Sequence, residues 1–469
     1  MLSLSSLSFG QNTPITIQPG TVVIGQCNGH ESQPGCVVPS LFGSGGLTLA
    51  NAPQFPHFAH FVGSAQTTLN TTLSTAIATE LTTLPLISPS SGFTYKYDSA
   101  AGAFVRTTSS FGPIYTERAE TIGRGKFAFG VSYQRFRFSN LDGINMHNIP
   151  AVFTHVPGTG PGGVAEPYEA DVISTVNSIN LNMDQTMLYG TVGLTDRVDL
   201  SVSVPIVSVR LGASSDATII RVSGPTFIPV GSTAPVPNPH SFNNGGLTNS
   251  YTSSGSAAGI GDVTFRLKGH VLQSGPIGVA LAVDVRTPTG DAREYLGAGA
   301  IGVKPFIVVS LAGKHLSPHL NTGYEWNGSS VLAGNITGTT FIGQDELVNG
   351  PATNGRLPSQ FFYSLGADLG VTSKLTFAAD YLGQTLLNEP RVFQSVFITE
   401  NIPGGTGSIP LPTISGGKDT ITLNNGAVGL KYNLFGKLLL TADILFRLDN
   451  RGLRQNITPL IALGYAFGQ

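Results

Sequence analysis

The sequence contains few charged residues and no long hydrophobic run. Charged residues make up 11% of its 469 positions, whereas about 25% is usual for soluble domains. A soluble protein so poor in charge would lack a solvated surface. A helical membrane protein would show runs of roughly 18 or more apolar residues, and the sequence has none. Together the two absences favour a protein that crosses a membrane with strands, since a strand exposes only every second side chain to lipid.

Basic stripes and metal-binding patterns are also absent from the sequence. The formal net charge is −2, which argues against a nucleic-acid partner. His and Cys residues do not recur at metal-ligand spacing, so the sequence predicts no metal and no other cofactor. Only two cysteines occur, Cys27 and Cys36, in a loop that contains Gly and Pro. Two free thiols are an alternative, but in an exported protein the pair favours a small disulfide loop.

Apolar residues alternate with small or polar ones from Lys126 to the end of the chain. In the last segment, Ile457, Ile461 and Phe467 share one parity, and the other parity is small or polar except for Leu460. Because successive side chains of a strand point to opposite faces, such a segment has one apolar face. The pattern predicts about twelve strands, around 126–134, 179–184, 198–206, 263–268, 277–285, 300–313, 318–328, 359–371, 375–388, 420–433, 437–449 and 456–467.

The connections between these strands alternate in length. Short turns are predicted near 195–197, 273–276, 314–317, 372–374 and 434–436. Long loops are predicted near 139–172, 212–258, 329–358 and 389–419, with shorter ones at 290–299 and 450–455. Outer-membrane barrels have short periplasmic turns and long outer loops. We therefore expect an all-β transmembrane antiparallel barrel of about 12 strands in a bacterial outer membrane, with both ends of the barrel periplasmic. Its expected partners are outer-membrane lipid, lipopolysaccharide and the barrel-assembly machinery.

The N-terminal region differs from the barrel. Residues 1–11 resemble the apolar tail and cleavage end of a secretory signal, although no basic residue precedes them. Residues 12–120 are rich in Pro, Ser and Thr, with one helix predicted around 67–86 from apolar residues at spacings of three or four, and a hairpin around 99–102. This region either plugs the lumen or lies in the periplasm, and the residues leave both open. The barrel is expected over 121–469.

Placing the apolar parity outward directs polar side chains into the lumen. The candidates are Asp184, Asp262, Arg266, Lys268, His270, Asp284, Arg286, Lys304, Glu325, Asp368, Asp380, Lys431, Asp443 and Arg447. Both signs occur, so the set is either a structural ion-pair network or a polar lining that passes a solute, and it does not form an ion-selective ring of one sign. In the segment that feeds the first strand, Glu117, Arg118 and Glu120 are candidates for plug contacts with lumen charges such as Arg266 and Asp284.

Enzyme motifs are weak in this chain. The run from Gly297 to Gly302 matches G-x-G-x-x-G, but it leads into a strand and lacks the helix N-terminus that would hold a pyrophosphate. His315 and Ser317 form an H-x-S pair with Asn321 as a conceivable orienting residue, yet they fall at a predicted short turn. We expect no catalytic residues.

Several barrel segments resemble a family of bacterial outer-membrane proteins. YGTVGLTDRVDLSVSVPIVSVRL at 189–211 and GIGDVTFRLKGHVL at 259–272 are similar to elements of the family described as the meta-pathway of phenol degradation type. The segments 284–291, 297–310 and 357–383 are similar to later elements. The likeness covers the barrel and not the N-terminal region.

The resemblance implies an outer-membrane barrel, distantly like the fatty-acid and aromatic-hydrocarbon transporters. Relative to the usual short form of the family element, this chain has Thr191 inserted at 189–193. We expect a non-enzymatic channel for the passive passage of small hydrophobic or aromatic compounds. The alternatives are a structural protein with surface loops and a sealed lumen and, less favoured, a barrel lipid hydrolase.

Overall fold

The structure is a computed structural model, and it describes residues 15–16, 24–44, 46–50, 61–62, 64–84, 87–88, 95–98, 103–106, 110–155, 166–342, 346–400 and 407–467. The proposed signal remnant at 1–11 lies outside these residues.

Twelve long strands form a closed antiparallel barrel, which confirms the predicted fold. They are β1 (Phe127–Leu141), β2 (Val172–Gly193), β3 (Val198–Ile220), β4 (Thr264–Ser274), β5 (Ile277–Arg286), β6 (Gly302–Leu311), β7 (Leu316–Asn327), β8 (Gln360–Gly370), β9 (Leu375–Ile398), β10 (Pro410–Phe435), β11 (Leu438–Arg447) and β12 (Ile457–Phe467). Each strand pairs with the next, and β12 closes the barrel on β1 from Leu460↔Gln134 to Phe467↔Phe127.

Shorter elements precede the barrel strands in the chain or lie between them. The predicted helix is confirmed at Ser64–Thr83, and the predicted hairpin is confirmed as paired strands at 95–98 and 103–106. The other elements are α1 (Pro34–Val37), α2 (Ser64–Thr83), 3-10 turns at Gly25–Cys27 and Pro167–Ala170, and strands Ile15–Thr16, Phe61–Val62, Tyr95–Asp98, Ala103–Arg106, Ile144–Asn145, Ile149–His155, Thr226–Phe227, Val236–Pro237, Thr248–Ile260, Ser329–Asn335, Thr339–Ile342, Glu346–Asn349, Thr353–Arg356 and Leu453–Gln455. Among the described helices, none is both long and apolar enough to cross a membrane.

The two ends of the barrel differ in their connections. At the short-turn end, which also carries the start of β1 and the end of β12, the turns are 194–197, 275–276, 312–315, 371–374 and 436–437. The opposite end is the long-loop end. Part of what was predicted as loop there is strand, because β9 and β10 stay paired out to Ile398↔Pro410 and β3 pairs with Thr248–Ile260. Paired strands satisfy their own backbone groups, so these hairpins need no apolar face.

The outer face near the short-turn end is apolar and aromatic. Phe127 and Phe129 are 54% and 53% exposed, and the Phe129 ring stacks on Phe467 at a centroid distance of 5.4 Å. Leu200 and Phe265 continue the exposed apolar surface on β3 and β4. An apolar outer band with aromatic residues at its edge is typical of a barrel that faces lipid. The protein is an outer-membrane β-barrel.

The chemistry of the two faces reverses toward the long-loop end. In β2, Leu181 and Met183 are buried inside the barrel, whereas Asn182 and Asp184 point outward. The alternation of inward and outward residues continues unbroken along β2, because Gln185, two residues after Met183, also lines the interior. The structure therefore corrects the prediction that Asp184 lines the lumen. The prediction placed apolar residues against lipid, but here they pack against the N-terminal region.

The N-terminal region fills the interior of this half. Leu73 and Ile77 of α2 have no exposed surface, and they belong to one apolar core with Phe136, Leu181 and Val209 of the barrel wall. The helix candidate from the sequence thus lies inside the barrel and not beside it.

Candidate functional site in the barrel lumen

Residues 110–125 cross the lumen near the short-turn end. Phe111 donates its N–H to Thr376 Oγ1 of β9 at 2.9 Å, and Ile122 donates to Asp199 Oδ2 of β3 at 3.0 Å. In the closed order of strands, β9 and β3 lie opposite each other. The segment, which we call the crossing segment, therefore runs from wall to wall before it enters β1.

Inward-facing acceptors bind the backbone N–H groups of the crossing segment. The Asp380 carboxylate accepts from residues 114–116 at 3.2 to 3.3 Å and also from the Thr116 hydroxyl at 2.5 Å. Asn321 Oδ1 accepts from the Glu117 N–H at 2.6 Å. An irregular segment cannot pair its backbone within itself, and a buried unpaired group is costly. The polar parity of the barrel strands supplies those partners.

Inward-facing donors bind the carbonyl groups of the same segment. Lys431 Nζ donates to Pro113, Lys268 Nζ donates to Arg118 at 3.0 Å and Glu120 at 2.8 Å, and His270 Nδ1 donates to Ala119 at 3.0 Å. The segment is thus held from both its donor and its acceptor side.

Glu117 is the charged centre of this arrangement. Its carboxylate accepts from Arg266 Nη1 at 2.6 Å and from Lys268 Nζ at 3.0 Å, and Arg266 also makes a two-pronged contact with Asp284 at 2.7 and 2.8 Å. Burial opposes ionisation of Glu117, but Lys268 and Arg266 outweigh it and hold the pKa of Glu117 below its usual range. The carboxylate is therefore charged at neutral pH and ties the segment to β4.

Arg118 and Glu120 meet the lumen differently from Glu117. Both bind Lys268 through their carbonyl oxygens. The Arg118 side chain is 2% exposed and interacts electrostatically with Asp368. The three residues proposed as plug contacts therefore all adjoin lumen residues, and only Glu117 forms an ion pair with Arg266.

A second ion network lies above the first, toward the long-loop end. Arg286 contacts Asp262 at 3.2 Å and Glu325 at 3.5 Å. Lys304 contacts Asp284, which also belongs to the first network, at 3.3 Å. These predicted residues point inward and pair with opposite charge, as buried charges require. Asp262 also accepts from the N–H of Ala298, in the loop that holds the G-x-G-x-x-G match, so this match has a structural role.

The remaining candidates are distributed along the wall. Asp443 is buried and interacts electrostatically with Tyr115 of the crossing segment, whereas Arg447 is half-buried near the long-loop end of β11. In the described part of the chain, no three His, Cys, Asp or Glu side chains form a group suited to a metal ion.

Asp184 belongs to a polar cluster on the outer face. Its carboxylate accepts from Tyr133 at 2.7 Å and contacts Arg210 at 2.8 Å and Arg135 at 3.4 Å. These residues sit where the outer face changes from apolar to polar. The cluster therefore marks the level at which the barrel leaves the lipid on this side.

The motif that suggested a hydrolase does not assemble. His315 is exposed in the turn, and Asn321 binds Glu117 instead. A different series of hydrogen bonds is present, in which the Ser310 hydroxyl bonds His319 Nδ1 at 2.8 Å and His319 Nε2 contacts Asp368 at 2.6 Å.

Ser310 binds the crossing segment, which sequence reasoning missed. Its hydroxyl accepts from the Ala119 N–H at 2.9 Å. The alternation in β6 could have revealed it, because Ser310 shares the parity of Lys304. Because the Ser310 hydroxyl binds the crossing segment, the hydrogen bonds among Ser310, His319 and Asp368 position that segment.

The long-loop half holds α2 through few polar contacts. Ser74 bonds the Tyr295 hydroxyl at 3.0 Å, and Thr75 donates to the Leu332 carbonyl at 3.1 Å. Glu80 is buried in this half, and burial raises the pKa of its carboxyl to about 7, although Arg454 opposes the shift. An acid placed this way favours its neutral form.

Cys27 and Cys36 form the predicted disulfide, with a Cα–Cα distance of 5.4 Å. The loop they close sits at the long-loop end, because Gln26 donates to the Thr337 carbonyl and Gly35 to the Arg293 carbonyl, each at 2.8 Å. The N-terminal region therefore threads the barrel, from this loop through α2 to the crossing segment.

Residues 157–395, slightly more than half of the chain, match the family described as "Putative MetA-pathway of phenol degradation". The chain belongs to this family. Its membership confirms the resemblance seen in the barrel segments. None of the curated proteins matches the chain.

Several solved outer-membrane proteins are similar to this family member. The COG4313 outer membrane channel from Pseudomonas putida F1 has 14% identity and a TM-score of 0.41, covering 74% of this chain and 98% of its own. The Ralstonia pickettii toluene transporter TbuX has 11% identity and a TM-score of 0.32, covering 74% and 90%. A mutant of the TodX monoaromatic hydrocarbon channel has 9% identity and a TM-score of 0.32, covering 81% and 96%.

Proposed function

We propose that this barrel is an outer-membrane channel for the passive passage of small hydrophobic or aromatic compounds, and that the crossing segment closes it. The observation that carries the proposal is the wall-to-wall course of residues 110–125, held by hydrogen bonds and ion pairs to inward-facing side chains. Contacts of this kind are reversible, since water can replace each of them. Both ends of the barrel are proposed to be periplasmic, because the short turns lie there.

A permanently sealed structural barrel is the second candidate. The apolar core around α2 favours it, because Leu73 and Ile77 bury their whole side chains against the wall. Fully burying such side chains contributes about 1.5 to 3 kcal/mol each. Under this alternative the inward charges serve only to hold the segment.

Replacing residues 110–122 by a glycine-serine linker of equal length tests the proposal. We expect the variant to conduct steadily in planar bilayers and to admit toluene into liposomes faster than the intact protein. A glycine-serine linker that replaces residues 228–234 at equal length, in a largely exposed stretch at the long-loop end, should change neither measurement. Equal conductance of the crossing-segment variant and the intact protein would contradict gating by this segment. Heat-dependent gel mobility checks that each barrel has folded.

A further inference from the structure

A cavity lies between the two halves of the lumen. Tyr115 and Glu117 of the crossing segment border it on one side, and residues 81–84 at the end of α2 border it on the other. Its volume is about 130 Å³, close to the roughly 150 Å³ of an engineered protein cavity that binds benzene. The space therefore suits a single six-membered ring.

One wall of the cavity is aromatic. Phe306 and Phe362 meet edge to face, with ring centroids 5.7 Å apart. Arg266 lies over the Phe306 ring and Lys304 over the Phe362 ring, each at 5.2 Å from the centroid. Aromatic rings favour such offset or edge contacts with one another, so a guest ring would find a matching surface beside these two.

Other cavity-lining residues carry polar atoms without a partner among the described residues. Gln185 Oε1, Gln360 Oε1 and Arg286 Nε make no hydrogen bond, and their side chains belong to residues that are only 4%, 2% and 7% exposed. A pure hydrocarbon would leave these buried atoms unsatisfied, which costs affinity. A guest with hydroxyl groups can donate to the amide oxygens and accept from the guanidinium.

The charges of the cavity wall disfavour an ionic guest. Four carboxylates line the cavity, on Glu117, Asp262, Asp284 and Glu325. Three cationic side chains of the lining are paired with these acids, and Lys268, which lies outside the lining, also pairs with Glu117 at 3.0 Å, so that four basic side chains balance the four carboxylates. An anion would meet the carboxylates and a cation would meet the paired bases, each without a surplus of opposite charge to offset desolvation. An uncharged guest avoids both costs.

We infer that this cavity binds an uncharged, single-ring aromatic compound that bears hydroxyl groups. The ring contacts Phe306 and Phe362, and the hydroxyl groups pair with Gln185, Gln360 and Arg286. The inference deepens the proposed function by naming the solute class that the channel holds, and it rests on that function only where transport is concerned.

Calorimetry on the intact protein in detergent tests the binding step without transport. The probes are catechol, toluene, benzoate and benzylamine, which compare hydroxylated, apolar, anionic and cationic single rings. We expect catechol to bind at least about tenfold more tightly than each of the others, because only it satisfies the unpartnered atoms without adding charge. Equal or tighter binding of toluene, benzoate or benzylamine, or no binding of catechol, would overturn the inference.

The substitution Gln185→Met tests the polar wall at nearly constant side-chain size. We expect about a tenfold loss of catechol affinity and no loss of toluene affinity. Gln455→Met is the matched control, because Gln455 is also a buried glutamine with an unpartnered Oε1 but lies outside the cavity lining. Equal effects of the two substitutions would overturn the assignment of Gln185.

Uptake of catechol into liposomes separates this inference from the proposed function. Selective binding without any uptake, in the intact protein or the linker variant, would contradict the channel and leave the binding site standing. Uptake without a preference for catechol over toluene in binding would contradict the site and leave the channel standing.

Discussion

The two halves of the barrel interior hold the same N-terminal region by different physical means. Near the short-turn end, Glu117 and the backbone of its neighbours bind charged and polar side chains of the wall. Near the long-loop end, Leu73 and Ile77 of α2 pack into an apolar core. A polar contact can exchange with water as the segment moves, whereas a buried apolar side chain has no substitute partner in water. We therefore expect the crossing segment to move within the lumen while α2 stays anchored to the wall.

The difference also follows the position of the membrane. Where lipid covers the outside, the outward parity must be apolar, which leaves polar residues for the inside. Where the strands extend beyond the lipid, as at Asn182 and Asp184, their outward side chains are polar and their inward side chains form an apolar core. The same alternation of inward and outward side chains therefore suits both lipid and water on the outside of the barrel.

The largest predicted effect comes from placing a charge in the apolar half. Ile77→Asp puts a carboxylate at a position with no exposed surface, and we expect it to destabilise the docked helix by about 4 kcal/mol or more. Hydrogen exchange of the α2 amides should accelerate strongly. Thr71→Asp, on the half-buried side of the same helix, is the control and should have little effect. Similar exchange in both variants would mean that α2 is not anchored by its apolar side.

The next effect is expected in the polar half. Glu117→Gln leaves Lys268 and Arg266 without one of their carboxylate partners, and removing one member of a buried ion pair typically costs about 3 to 5 kcal/mol. We expect the crossing segment to loosen and channel openings to become frequent in planar bilayers, while exchange in α2 stays slow. Glu400→Gln is the control, since it makes the same chemical change at an exposed residue in the loop that follows β9, outside the crossing segment. Unchanged gating in Glu117→Gln would show that the ion pairs do not hold the segment.

Whether the sequence predicts the direction of a barrel side chain depends on whether the outside of the barrel at that level faces lipid or water. The alternation at Val198 and Leu200 identified the lipid-facing parity, because lipid demands apolar side chains there. The same reasoning failed at Asp184, because the apolar residues beside it face the N-terminal core. The apolar spacing of α2 predicted a helix, but which wall it contacts depends on pairs hundreds of residues apart, and no local pattern records those. The cavity, likewise, exists only between elements that are distant in sequence.

Opposite pH responses are predicted for the two halves. The pKa of Glu117 is lowered, so its contribution to docking is present above the ordinary glutamate pKa and is lost as the pH falls through its folded value. The pKa of Glu80 is raised to about 7, so docking of α2 is strongest below about pH 4.5 and weakens as the pH rises through 7, by at most about 3 kcal/mol. Hydrogen exchange of α2 measured from pH 5 to 8, corrected for intrinsic exchange, should rise in the natural sequence. Glu80→Gln should weaken the trend, and Glu80→Gln combined with Glu389→Gln should remove it, because the buried Glu389 carboxylate accepts from Thr79 of the same helix at 3.4 Å. A trend that persists in the double variant would assign it to another group.

The smallest effect should come from the disulfide at the long-loop end. Cys27 and Cys36 enclose eight residues, and closing so short a loop contributes about 2 to 3 kcal/mol, confined to the docking of that loop. The paired substitution Cys27→Ser with Cys36→Ser should therefore increase exchange near residues 24–40 while leaving gating and heat-dependent gel mobility unchanged. Gly255→Ala offers an independent route to the same result, because a Cβ at this position would collide with the Ser32 carbonyl of the disulfide loop. If either change opened the channel as Glu117→Gln is expected to do, the loop would take part in closing the lumen, and the division between an anchoring half and a moving half would be wrong.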